Sequence, residues 1–175
     1  MKAALNRLGN GMRFFFNPKR LSFTPARRRR LLFDLLVLFF LIYIALFAAT
    51  SALMFLHEMD LSPSSVVAYY LGNEEELRPP KSFEALLEVS HAHLFAQGIL
   101  LLTLVHLMLL ARIPFWLKVA LGTIAYLSAV LNESASWLIR FVHPAFAYLK
   151  IATFLTLELS LLLLVATIGL TLLRR

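Results

Sequence analysis

The sequence has no cysteine among its 175 residues. That removes structural disulfides, thiolate metal sites, iron–sulfur clusters, covalent c-type haem attachment and cysteine nucleophiles together. Any metal or cofactor must be held by His, Met, carboxylate or backbone. Charge is also scarce: only 15% of residues are Asp, Glu, Lys or Arg, against about 25% in a soluble domain. There is no phosphate-binding glycine loop, no His-Glu-x-x-His zinc motif and no serine-triad context, so hydrolase and nucleotide-driven chemistries lack support.

What is present is apolar length. Hydrophobic residues make up 60% of the chain, gathered into runs at Leu35 to Leu56, Val89 to Ala111, Phe115 to Leu131 and Ile151 to Leu173. Each approaches or exceeds the ~20 residues needed to cross ~30 Å of hydrocarbon. The runs lack period-two alternation, so they predict helices rather than barrel strands. The fold class is therefore all-α: a polytopic membrane protein with a four-helix transmembrane bundle over 31–175, preceded by a basic segment at 1–30.

The basic residues are lopsided. With four spans, one side holds Lys2, Arg7, Arg13, Lys19, Arg20, Arg27 to Arg30, Arg112, Lys118, Arg174 and Arg175, with no acid. The other holds Arg78, Lys81, Arg140 and Lys150 against eight acids, among them Glu58, Asp60, Glu74, Glu75, Glu76 and Glu133. Positive-inside asymmetry then predicts a bacterial-type inner membrane protein with both termini cytoplasmic and the loop at about 57–88 periplasmic. The first apolar run is longer than a signal-peptide core and begins more than thirty residues into the chain, so a membrane anchor is the expectation rather than a cleaved leader. Phe14, Phe15 and Phe16 among basic residues suit an anionic leaflet or a partner subunit. The membrane accounts for this charge, so no nucleic-acid partner is expected.

The outer loop is long enough to be structured. Ser62-Pro63 reads as the start of a short helix and Gly72-Asn73 as its end, while Ser82 caps a second helix running through Phe83, Leu86 and Leu87 into span two. The acidic run at Glu74 to Glu76 is either a solvated turn or a docking patch for a basic partner. Trp137 to Phe146 reads as a short amphipathic outer segment.

The histidines are uneven in depth. His57, His91, His93 and His143 cluster at the outer face, and His106 lies roughly 9 Å from the inner boundary. A helical His-x-His puts two rings about 200° apart, so only one of His91 and His93 faces the bundle. His91, Phe95, Gly98 and Leu102 share one stripe, and Gly98 would let a flat ring or another helix approach the backbone. On His91, Gly98 and His106, span two resembles the ligand helices of small four-helix b-type membrane cytochromes, the b561-like group. The resemblance implies haem b held by histidines near the membrane faces, with electrons passing between a quinone and a partner. The outer haem would take His91 or His93 with His143 or His57.

Two other readings use the same chain. His57, His91, His93 and His143, with Met54 and Met59, form a set that would suit copper or another divalent metal. Alternatively the chain is a non-catalytic accessory subunit of a larger respiratory or other membrane complex. Glu158, roughly 12 Å into span four, is either a catalytic proton or quinone contact or a buried contact between helices. Asp34, near the interface, reads as structural, and Gln97 and Asn132 as hydrogen bonds between helices.

Overall fold

A computed structural model describes residues 24–74 and 77–174. The readings on Phe14 to Phe16, Glu75, Glu76 and most of the basic N-terminal segment lie outside these residues. The chain divides into two compact units, Met1–Leu38 and Phe39–Arg175. Five helices run in order: α1 (Pro25–Glu58), α2 (Pro63–Leu71), α3 (Phe83–Met108), α4 (Phe115–Phe141) and α5 (Phe146–Leu173). All but α2 are long and apolar enough to cross a membrane. Strands are absent among the described residues, apart from one isolated bridge between Asn73 and Arg78. The molecule is thus the all-α polytopic membrane protein that the runs predicted.

Neighbouring spans are antiparallel, and side-chain pairs fix the register. Phe55 of α1 stacks on Phe154 of α5 with centroids 3.9 Å apart. One turn away, Ser51 of α1 hydrogen-bonds Glu158 of α5. Between α3 and α4, Gly122 faces Val105, and an added Cβ would sit 3.5 Å from its methyl. The buried stripe of α4 continues through Ala125, Ala129, Asn132, Ala135 and Ser136. Small residues at this helical spacing let α3 and α5 pack close on either side, which is how apolar helices associate where lipid is equally apolar. At the α3–α4 turn, Lys118 Nζ donates to the Leu109 carbonyl at 2.8 Å and satisfies an end group of α3.

The other end of the bundle is covered by α2. Its start follows the expected chemistry: Ser62 Oγ accepts from Ser65 N, and Pro63 occupies the first turn. Asp60 Oδ1 accepts from Ser62 N at 2.7 Å, and the Ser62 hydroxyl together with this backbone bond holds the Asp60 carboxyl below its ordinary range. The helix stops at Gly72, whose φ of 91° carries the chain into a tight return. A Cβ at Gly72 would lie 2.7 Å from the Arg78 carbonyl oxygen and 2.9 Å from Pro80 N. Gly72→Ala is therefore expected to destabilise this cap by more than ~1 kcal/mol, because strain and overlap act together. Faster hydrogen exchange at Lys81 N, which bonds Tyr70 O at 3.1 Å, would report it; unchanged protection would refute it.

Val66, fully buried, and Tyr70 seat α2 on Phe55, Leu86, Ile139 and Phe154. Ser82 then caps α3 by accepting from Ala85 N at 3.1 Å, as expected. The third span departs from the sequence reading. It does not end near Leu131 but continues to Phe141, and the segment from Trp137 is its last turn rather than a separate outer element. Beyond Leu131, the side chains of Glu133, Ser136 and Trp137 find partners inside the bundle, so the helix has no reason to stop where the apolar run does.

Candidate functional site

Those partners form a buried polar network beneath α2. Glu133 of α4 is 4% exposed. Its Oε1 lies 2.8 Å from His93 Nδ1, and its Oε2 accepts from Ser90 Oγ at 3.3 Å. Ser90 Oγ in turn accepts from Trp137 Nε1 at 2.8 Å. Ser90 and His93 are three residues apart on α3, so both reach the same carboxyl from one face. With Glu133 ionised, Nδ1 is the protonated nitrogen and Nε2 carries the lone pair.

Lys150 of α5 closes the other side. Its amine donates to the Asn132 carbonyl and to Ser136 Oγ, both at 3.0 Å, and Ser136 Oγ also pairs with Tyr70 OH at 3.0 Å. Lys150 is 6% exposed. Glu133 is the charged group that acts on it electrostatically, although no carboxylate stands within 4.0 Å of its nitrogen among the described residues. Burial pushes the Tyr70 hydroxyl well above its ordinary range, so Tyr70 acts as a neutral hydrogen-bonding group throughout the working pH range.

The histidines part company here. His93 is drawn halfway in, its side chain 43% exposed. His91, on the opposite face, is exposed, as the 200° argument requires for one of the two. His57 is exposed and contacts Glu58 at 3.8 Å. His143 is exposed, and its Nδ1 accepts from Ala145 N at 3.1 Å, which fixes the turn into α5. His106 is also exposed. Among the described residues no three His, Asp or Glu side chains form a group fit for a metal ion. Gly98 meets nothing within 4 Å, and Phe95 and Leu102 of its stripe are exposed, so this stripe faces the lipid side of α3 rather than its neighbours.

Glu158 stands apart from the network. It lies two turns beyond Lys150 on α5, with Phe154 and its stacked partner Phe55 on the turn between. Sequence reading missed Ser90, Glu133, Ser136, Trp137, Tyr70 and Lys150 as site residues. Glu133 and Lys150 fall outside the apolar runs and so read, in the sequence, as charges of the outer side. The available signal was polar spacing: Asn132, Glu133, Ser136 and Trp137 repeat at one-turn intervals on a predicted helix end.

No curated protein and no solved structure matches the chain. A family profile does match, over residues 60–175, and the matched stretch contains α2 to α5 and every member of the polar network from Tyr70 to Lys150. The chain belongs to the Aq_1264_TM family, a transmembrane helical domain.

Proposed function

We propose that the protein is an integral membrane subunit of an electron-transfer complex, and that His93 with Glu133 forms its site for a quinone headgroup. The observation that carries this reading is the 2.8 Å contact between a buried carboxyl and a half-exposed imidazole. An ionisable pair inside a membrane bundle is expensive to bury, and such pairs mark functional sites. Here the carboxylate orients the ring and stabilises it once protonated, leaving Nε2 at the half-exposed edge of α3. A lipid-soluble quinol reaches that position from the bilayer. Its two hydroxyl protons pass in turn through Nε2 to the adjacent aqueous face, and its two electrons leave to a redox centre of a partner subunit. Positive-inside asymmetry supports a periplasmic position for this end, at a bacterial inner membrane, and Glu158 with Ser51 then serves the α1–α5 contact.

A second reading rests on the same pair. An imidazole whose Nδ1 is held by a carboxylate presents Nε2 as a metal ligand, so His93 is the residue through which haem b, or copper, would be held. Haem b there would supply one-electron transfer. Its other ligand would come from another exposed histidine of this end or from a partner.

The Trp116→Phe variant leaves Trp137 as the single indole, bonded to Ser90 beside the site. Titrating it in lipid nanodiscs with a short-chain benzoquinone should give saturable quenching, and a redox difference spectrum with metal analysis on the same sample reads haem and copper. Unsaturable quenching with no haem band and no metal would sink both readings and leave an accessory subunit.

A further inference from the structure

The rim of the α2 end carries cations that the network does not use. Lys81 Nζ sits 4.0 Å from the centroid of the Tyr69 ring, and the Arg78 guanidinium lies 5.9 Å from the same centroid. Arg140 reaches over from α4, its Nε donating to the Lys81 carbonyl at 2.8 Å and its guanidinium lying 5.2 Å from the Phe141 ring. Lys81, Arg140 and Tyr69 are all half-buried. Among the described residues neither Lys81 nor Arg140 has a carboxylate within 4.0 Å.

Gathering like charges in a partly dehydrated place is unfavourable unless a counter-charge completes it. The surroundings say where that counter-charge comes from. Phe141, beside Arg140, belongs to an aromatic cluster with Trp137 and Phe83, the Phe83 and Trp137 rings meeting edge to face with centroids 5.2 Å apart. Aromatic rings with adjacent Lys and Arg at the end of membrane helices mark the headgroup level of the bilayer. Phospholipid phosphate is the abundant anion there. Arg140 has Nε committed to a peptide oxygen, which leaves the other edge of its guanidinium for a phosphate oxygen, and Lys81 supplies a second charge.

We propose that this rim, centred on Lys81 and Arg140, binds the phosphate of an anionic phospholipid headgroup. More than one cation favours a headgroup with net negative charge over a zwitterionic one. The site is independent of the electron-transfer reading.

The full-length protein, purified in mild nonionic detergent, is melted after addition of phosphatidylglycerol, phosphatidylcholine or inorganic phosphate. Phosphatidylglycerol should raise the melting temperature by about 5 °C when present well above its Kd, while the other two leave it unchanged. Lys81→Gln should lose most of that rise and Lys81→Arg should keep it. Neither removes the Arg140 anchor, which is the Lys81 backbone oxygen, so both variants fold. A rise that phosphatidylcholine matches, or that survives Lys81→Gln, overturns the proposal. So does an equal rise with inorganic phosphate alone, which would assign the rim to a soluble anion.

Discussion

Replacing Lys150 by methionine should destabilise the folded bundle by about 3 kcal/mol. The two side chains are close in volume, so no large cavity opens and the change is chiefly polar. Two hydrogen bonds are lost, to the Asn132 carbonyl and to Ser136 Oγ. Neither acceptor is stranded: Ser136 keeps Tyr70, and the Asn132 carbonyl accepts from the Ser136 hydroxyl at 3.5 Å. Loss of two such bonds, set against the relief of no longer burying an ammonium, is worth about 1–2 kcal/mol net. The remainder comes from Glu133, left in the bundle without its opposing charge. The prediction is thus one of coupling. In a double-mutant cycle, Glu133→Gln should lower the cost of Lys150→Met by ~1 kcal/mol or more, read by SDS titration in mixed micelles. Additive costs, with Lys150→Met near 1 kcal/mol, would show that the amine serves only as a hydrogen-bond donor.

The same pair shows where the sequence stops being legible. The four spans, the Ser62-Pro63 start of α2, its Gly72 stop and the Ser82 cap of α3 were all readable, because each depends on local chemistry or on the length of an apolar run. The end of α4 was not, since it depends on polar residues finding partners on α3 and α5. Glu133 and Lys150 lie seventeen residues apart and become neighbours only through the turn at His143. The angular argument for His91 and His93 correctly separated them, but it gave no sign of which faced inward. That was decided by Ser90, which shares a helix face with His93 and meets the same carboxyl. Gly98 was readable as a permissive position, yet its direction was not, and it lies on the open side of α3.

That divergence within one His-x-His supplies the sharpest test of the proposed site. His93→Ala should abolish saturable benzoquinone quenching, whereas His91→Ala, two residues away, should leave it within about twofold of the parent. Glu133→Gln is the more informative change. Glutamine preserves the volume and keeps one oxygen to accept from His93 Nδ1, while its amide nitrogen replaces the Oε2 that accepts from Ser90 Oγ. What it removes is the negative charge that supports a protonated ring. By analogy with residues that orient a ligating histidine, the loss should be 10–100-fold in affinity. Melting should move by only a few degrees, because most of the hydrogen bonds survive. A uniform charge or packing effect would instead lower melting and binding together, and it would not distinguish His91 from His93. Equal responses of those two alanine variants would place the quinone elsewhere and reduce the Glu133 pair to a structural brace between α3 and α4.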